Sequence, residues 1–443
     1  MKRTRSIWVV RFGLGVTLLA AACSVSIDNT SGASVSRADD AGAAPIDADI
    51  LLQDGGKPIT DAGAASIPPV LTSLQRSSCA TGADHKLYCW GDRANGRTGT
   101  TEDDSASPHA IAVSGLSDTV TAATVGYLTG CAVTTAGAVK CWGGNENGKE
   151  GNGFLGNPME ARANQPASVL LGDKQTPLIG AVTLGGSYYM QCASKSDKSV
   201  YCWGVNDHGE ILCDPAAVTF TGSSGRTGLY ACKMPAFALD TVKVVSGAQD
   251  NHCLLSAAGK VQCWTLSGKP ADEVSTVKKG GQELSGVVDL AVGAGHFCAL
   301  MGDGTVLCWG KNNVGQLGNG TTSDASEPTP VAGLSGVKAI ALGGAWYGDS
   351  AHHSCALLRS GAIKCWGARS KGQLGDGVSA DNNPATTPVD VKGIDDAVQI
   401  SAGYQFSCAR RASGKVQCWG SAENGSLGSP GGDTTTPRDV LGL

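Results

Sequence analysis

Cysteine is the reactive residue type that dominates this 443-residue sequence, and its spacing repeats. Fourteen of the 17 cysteines form seven copies of the spacing C-x9-C, each followed directly by a tryptophan. Paired thiols of this kind oxidise to disulfides in exported proteins, and a spacing kept seven times indicates an internal repeat. The seven predicted bridges are Cys79–Cys89, Cys131–Cys141, Cys192–Cys202, Cys253–Cys263, Cys298–Cys308, Cys355–Cys365 and Cys408–Cys418.

The adjacent pair His352 and His353 is the other group that suggests chemistry, because with Asp349 it has the residue types of a zinc site. Neighbouring residues of a strand point to opposite sides, however, and the thiols are already committed to bridges. His353 also stands two residues before a first cysteine, as His296 does. We therefore interpret the pair as part of an exposed loop and predict no metal, no cofactor and no catalytic residues.

The amino terminus has the pattern of an export signal. Lys2, Arg3 and Arg5 precede an apolar stretch that ends at Ala22, which predicts a signal peptide over residues 1–22. The run LAAAC ending at Cys23 resembles a bacterial lipobox, so we expect Cys23 to be acylated and to anchor the protein in a membrane. Removing Cys23 from 17 cysteines leaves 16, an even number, whereas ordinary cleavage after Ala22 would leave one thiol unpaired.

The next segment, up to residue 68, is rich in Ala, Ser, Gly and Asp and has few large apolar side chains. Such a composition cannot bury a core, so residues 23–68 are predicted to be a lipidated, disordered tether. Its aspartates lack the spacing of a calcium-binding loop. Two cysteines remain, Cys213 and Cys232, in a long insertion of the third repeat, and we expect them to form an eighth disulfide.

Each C-x9-C segment is predicted to be a β-hairpin. Between Cys298 and Cys308 two short apolar runs flank the sequence Gly-Asp-Gly, and a three-residue loop places the two cysteines directly opposite each other. A glycine occupies the last loop position in five copies, where a left-handed conformation is needed. His85 and Lys198 stand there in the other two, so we expect those turns to be strained or closed differently.

The segments around the hairpins predict the architecture. An alternating run precedes each hairpin and a Pro-containing run such as 327–331 follows it, which makes four strands per repeat. Cysteine and tryptophan on one strand face opposite sides, so each sheet must be covered on both faces. We predict an all-β, seven-bladed β-propeller of four-stranded antiparallel blades over residues 69–443, closed by pairing of its N- and C-terminal strands.

The run CWGKNNVGQLGNG at 308–320 and the run GQLGDG at 372–377 resemble the repeat of the regulator of chromosome condensation family, a seven-bladed propeller. The copy around Trp264 departs most, since Thr265 replaces the glycine and no G-Q-L-G follows. The glycines of these runs are interpreted as structural. The family's exchange activity on a nuclear GTPase and its nucleosome binding are out of reach of an exported chain with a net charge of −5, which also has no basic stripe for nucleic acid.

The same resemblance extends to secreted bacterial propellers that inhibit β-lactamases, which implies a protein-binding role. We therefore expect a monomeric, non-catalytic scaffold in the bacterial cell envelope, facing the periplasm or exterior, that binds a protein or a surface glycan. The alternative is an enzyme acting on glycan or peptide at the centre of the ring. Aromatic residues shortly before first cysteines are the candidate binding anchors, with packing around the central channel as the competing interpretation: Trp346, Tyr347, Tyr188, Tyr189, Tyr127 and Tyr404.

Overall fold

Seven antiparallel units, six of four strands and one of five, account for nearly all regular structure of the described residues. The computed structural model describes residues 68–100, 107–144, 162–188, 190–205, 219–221, 227–235, 240–247, 251–265, 274–345, 349–378 and 383–443. The helices in these ranges are three short 3₁₀ turns, and none is long and apolar enough to cross a membrane. They lie at Ala94–Gly96, Asp349–Ala351 and Glu423–Gly425.

The first four blades follow one another along the chain. Blade 1 contains β1 Leu71–Leu74, β2 Ser77–Thr81, β3 Leu87–Gly91 and β4 Ser107–Ala112. Blade 2 contains β5 Val120–Val125, β6 Thr129–Thr134, β7 Val139–Gly144 and β8 Arg162–Ser168. Blade 3 has a fifth strand and contains β9 Ala181–Gly186, β10 Met190–Lys195, β11 Val200–Val205, β12 Thr219–Thr221 and β13 Thr227–Lys233. Blade 4 contains β14 Thr241–Ser246, β15 Asn251–Ser256, β16 Val261–Thr265 and β17 Ser275–Thr276.

A two-stranded ribbon separates the last three blades from the first four, with β18 at Lys278–Lys279 and β19 at Gln282–Glu283. Blade 5 contains β20 Val287–Val292, β21 His296–Met301, β22 Val306–Gly310 and β23 Ala325–Pro330. Blade 6 contains β24 Val337–Gly343, β25 His353–Leu358, β26 Ile363–Gly367 and β27 Ala385–Asp390. Blade 7 contains β28 Ala397–Ala402, β29 Phe406–Arg411, β30 Val416–Gly420 and β31 Thr434–Asp439.

Every C-x9-C segment forms the second and third strands of its blade. The two cysteines face each other in the ladder, as Cys298 faces Cys308, and all seven pairs are bonded with Cα atoms 4.1 Å apart. The loop-closing glycines have positive φ angles, for example 81° at Gly304. His85 and Lys198 adopt the same left-handed conformation, at φ 62° and 66°, which confirms that these two turns carry backbone strain.

The blades are joined by one repeated contact. The tryptophan of each blade packs on the disulfide of the preceding blade, as Trp366 does on Cys298–Cys308 and Trp142 does on Cys79–Cys89. The same pairing of disulfide and indole occurs in the five other inter-blade cores. Five of the seven indoles are completely buried. The two apolar faces that the sequence predicts are therefore covered by neighbouring blades.

The ring closes where the first blade meets the last. Each terminal segment supplies a complete blade, because β1 to β4 form one sheet and β28 to β31 form another. Closure is made face to face, with Trp90 packed on Cys408–Cys418. Hydrogen bonds from Tyr404 N to Gln75 O at 2.6 Å and from Ala110 N to Leu441 O at 2.8 Å also cross this seam. The described strands of both blades are all used within their own sheets, so the seam resembles the other six interfaces.

Cys232 also participates in a disulfide. The seven hairpin bridges use the fourteen other cysteines of the described ranges, so its partner lies outside them. Cys213, Cys23, the signal peptide and the tether all fall outside the described residues. The Cys213–Cys232 bridge and the acylation of Cys23 therefore remain predictions.

Candidate functional site

The ring has two ends that differ in which loops they carry. In an antiparallel sheet successive connections alternate between ends. One end carries the links between first and second strands and those between third and fourth strands. We call it the arc face, after an arc of tyrosine and arginine side chains that lies on it. The opposite end, the turn face, carries the hairpin turns and the connections from one blade to the next.

Three of the predicted binding tyrosines occupy the same register on the arc face. Tyr127, Tyr188 and Tyr404 each stand four residues before the first cysteine of their pair, in blades 2, 3 and 7. Tyr127 and Tyr404 are partly exposed, whereas Tyr188 is almost buried. Tyr189, Trp346 and Tyr347, the other three candidates, lie outside the described residues.

Two arginines contact these tyrosines, and we call the five residues the Tyr–Arg arc: Tyr188, Tyr127, Arg97, Arg76 and Tyr404. Tyr127 and Tyr188 stack with ring centroids 4.2 Å apart and planes inclined by 17°. The Arg97 guanidinium carbon lies 5.4 Å from the centre of the Tyr127 ring, and that of Arg76 lies 5.2 Å from the centre of the Tyr404 ring. Both distances are typical of cation–π contacts, so the arc extends across blades 3, 2, 1 and 7.

Each arginine of the arc is paired with one carboxylate. Arg97 is 5% exposed and contacts Asp92 at 3.4 Å, while Arg76 contacts Glu423 at 3.0 Å at the surface. Burial lowers the pKa of Arg97, the carboxylate of Asp92 opposes that change, and the positive charge of Arg76 adds to it. The arc thus presents flat aromatic surface beside a surface cation, which is a combination enriched in protein-binding hot spots.

Arg76 and Arg97 were missed by the sequence-based prediction, although a signal for each exists. Arg97 occupies the glutamine position of the repeat's own G-Q-L-G run, which reads G-R-T-G at 96–99. Arg76 directly follows the register position that tyrosine holds in three other blades. Both residues are departures from the repeat pattern, and they meet in the folded ring.

The interpretation of His352 and His353 as an exposed loop was wrong. His352 is 1% exposed and His353 is 0% exposed. Both are buried because they lie at and just before the start of β25 in blade 6, which packs between blades 5 and 7. His353 Nε2 lies 2.8 Å from Ser407 Oγ of the next blade, and its Nδ1 lies 2.9 Å from Ala351 O. His296 Nε2 makes the equivalent contact with Ser354 Oγ at 3.2 Å. These imidazoles bridge adjacent blades, and no group of three or more metal-ligating side chains occurs in the described residues.

The G-Q-L-G runs act as clamps between blades, as the structural interpretation expects. The carbonyl oxygen of Gln316 accepts hydrogen bonds from Trp366 Nε1 at 2.9 Å and Ser354 Oγ at 2.8 Å, both of the following blade. Gly318, at φ 68°, lies so close that a Cβ there would be 2.7 Å from Trp366 Nε1. The glycine is therefore required both by its backbone conformation and by the indole next to it.

Comparison with known proteins agrees with this architecture. The family model described as the regulator of chromosome condensation (RCC1) repeat matches residues 303–347 and 360–410, and a second model of that repeat matches 287–316 and 397–426. Prp20p from Saccharomyces cerevisiae superimposes with a TM-score of 0.64 at 20% identity, over 84% of this chain and 87% of that one. Human WBSCR16 gives 0.63 at 18% identity, over 81% and 94%. The chain is thus a seven-bladed propeller that carries RCC1 repeats.

Curated relatives are similar in sequence but differ in length. The ultraviolet-B receptor UVR8 of Arabidopsis thaliana is 28% identical over 66% of this chain and 63% of its own. The human E3 ubiquitin-protein ligase HERC2 is 28% identical over 57% of this chain, but the match spans 6% of that protein. The chain therefore covers less than two thirds of these relatives. By their names they are a receptor and a ligase, and Prp20p is described by its binding properties to Gsp1p and histones.

Proposed function

We propose that this chain is a non-catalytic binding module of the bacterial cell envelope that captures a protein partner on its arc face. The observation that carries the proposal is the Tyr–Arg arc, whose members come from four blades and meet only in the closed ring. Aromatic and arginine side chains on a rigid scaffold bind with little loss of conformational entropy, because stacking already restricts them.

A protein is favoured over a glycan by the chemistry of the arc. Arg76 is 37% exposed and its carboxylate partner Glu423 is 49% exposed, so a partner's acidic group can compete for the guanidinium at the surface. Tyr127 and Tyr404 on either side supply apolar contact area. Relatives with this propeller are binding or regulatory proteins, which supports the same assignment at the level of the fold. A surface glycan is the second ligand class within this proposal.

The location in the envelope rests on the sequence. The predicted signal peptide, the predicted acylated Cys23 and the predicted tether would hold a monomeric propeller near a membrane while the arc face remains free. Mass spectrometry of the mature amino terminus tests this part: an acylated Cys23 is the expected result, and an unmodified residue 23 would refute it.

A pull-down from envelope extract tests the binding proposal. We expect the immobilised protein to retain a stoichiometric protein partner, and Tyr127→Ala and Tyr404→Ala to weaken its capture at least tenfold, since hot-spot truncation costs about 2 kcal/mol or more. Tyr201→Ala is the matched control, because Tyr201 lies on β11, away from the arc. Equal capture by all three variants would exclude the arc as the interface. Turnover of an envelope glycan or peptide by the purified protein would instead favour the enzyme alternative.

A further inference from the structure

A pocket of about 610 Å³ opens on the turn face, where blade 7 meets blade 1. Its walls come from the hairpin turns of both blades and from the connection that ends at Leu443. Volumes of this size are typical of small-molecule sites. It lies at the opposite end of the ring from the Tyr–Arg arc, so it is not part of the proposed protein-binding surface.

One lining residue, Arg410, breaks the pattern of the repeat. It stands two residues after the first cysteine of its pair, and the six equivalent positions hold Leu357, Leu300, Leu255, Val133, Ser194 and Thr81. All seven side chains are buried, and Arg410 is 5% exposed. A position that is aliphatic or small in every other blade therefore carries a cation here. Burying a charge in place of a leucine is unfavourable unless a counter-charge is supplied.

No such counter-charge is present among the described residues. The Arg410 guanidinium donates only to carbonyl oxygens, those of Gly414 at 3.1 Å, Val70 at 3.1 Å and Thr81 at 2.6 Å. Its Nε is buried without any acceptor. The two other long cations that line the pocket differ, since Arg411 contacts Asp396 at 2.6 Å and Lys415 contacts Asp439 at 3.6 Å. Arg410 alone of the three lacks a carboxylate.

Part of the pocket wall is apolar and exposed, beside the charged side chains of Arg411, Lys415 and Asp439. The segment Val440–Leu443 repeats the V-x-G-L pattern of Val331–Leu334, whose leucine is 7% exposed. Leu443 is instead 39% exposed and Leu441 is 43% exposed. Both belong to the apolar wall, together with Pro68, Pro69, Val398 and Val416. The pocket thus combines one buried, uncompensated cation with exposed aliphatic surface.

We propose that this seam pocket binds a small organic acid with an aliphatic body. The carboxylate supplies the acceptor and the counter-charge that Arg410 lacks, and the aliphatic body covers Leu441 and Leu443. A carboxylate is preferred to a neutral amide of the same shape because only the carboxylate brings a negative charge to the buried guanidinium and can accept two parallel N–H bonds from it.

The competing explanation is that Arg410 only ties blade 7 to blade 1 through its bonds to Val70 O and Thr81 O. Calorimetric titration with hexanoate and with its neutral analogue hexanamide distinguishes the two. We expect the purified protein to bind hexanoate at least tenfold more tightly than hexanamide, and hexanoate to raise the melting temperature. Arg410→Leu, which restores the residue of blades 4, 5 and 6, should fold and lose the preference for hexanoate.

Two further variants complete the test. Arg359→Leu removes an exposed arginine of the neighbouring hairpin turn on the same face, and should bind hexanoate like the wild type. Arg410→Lys keeps the charge with fewer donors, and should retain a weaker preference, which keeps the test valid if Arg410→Leu does not fold. Equal affinity of the wild type for hexanoate and hexanamide, or a preference that survives Arg410→Leu, would overturn the proposal.

Discussion

The buried histidines make the stability of the ring dependent on pH. His353 and His252 are 0% and 1% exposed, and burial lowers the pKa of His353 to about 4 and that of His252 to about 3. In the unfolded chain both would titrate near 6.5. The folded state therefore holds these groups neutral at pH values where the unfolded chain takes up protons, so stability falls as pH decreases below about 6.5.

The size of the effect follows from the two pKa values. A pH of 5 is about 1.5 units below the pKa of a histidine in the unfolded chain. Protonation therefore stabilises the unfolded state by about 2 kcal/mol per histidine, at 1.36 kcal/mol per unit. His353 and His252 together then reduce the free energy of unfolding by about 4 kcal/mol between pH 7.5 and pH 5. His296 adds to this loss, because burial and the nearby His352 and His353 hold its pKa well below the usual value.

Urea denaturation between pH 5 and pH 8, with the disulfides intact, measures this dependence. His353→Gln keeps a hydrogen-bonding partner for Ser407 but cannot take up a proton, so the pH-dependent loss should be smaller by about 2 kcal/mol. His85→Asn is the control, because His85 is exposed on a hairpin turn and Asn tolerates its left-handed conformation. An unchanged slope in His353→Gln would refute the assignment of the pH dependence to buried imidazoles.

Two other predictions concern the joints of the ring. Gly318→Ala should lower the free energy of unfolding by at least about 2 kcal/mol more than Gly333→Ala. Both glycines have positive φ, but only the first substitution would place a Cβ against Trp366. Equal losses of stability in thermal melts would contradict the role of the G-Q-L-G run as a clamp between blades. Replacing both Cys298 and Cys308 by Ser should cost about 2–3 kcal/mol, and non-reducing peptide mapping of the wild type should show each C-x9-C pair closed on itself; bridges between blades would refute the hairpin register.

The hairpins could be predicted from sequence because their information is local. A three-residue loop with glycine at its end sets the register of Cys298 against Cys308, and no distant residue can change it. Blade number follows from counting copies. The burial of His353 could not be read in the same way, because its partner Ser407 is 54 residues away and belongs to another blade. The packing at the ring closure likewise depends on distant residues, since Trp90 of the first blade lies on Cys408–Cys418 of the last.

The candidate sites show the same difference between features set by local sequence and features set by contacts between blades. The sequence by itself determined the strand pattern, the seven disulfides and the end of the ring that carries the tyrosines, because each depends on spacing within one repeat. Only the tertiary structure decided that Arg97 and Arg76 join those tyrosines, and that Arg410 lies buried at a seam without a carboxylate. The physical reason is that ring closure brings residues of different repeat copies into contact. Arg76, Arg97 and Arg410 each depart from the repeat pattern, and their neighbours in the folded ring are not specified by any local sequence pattern.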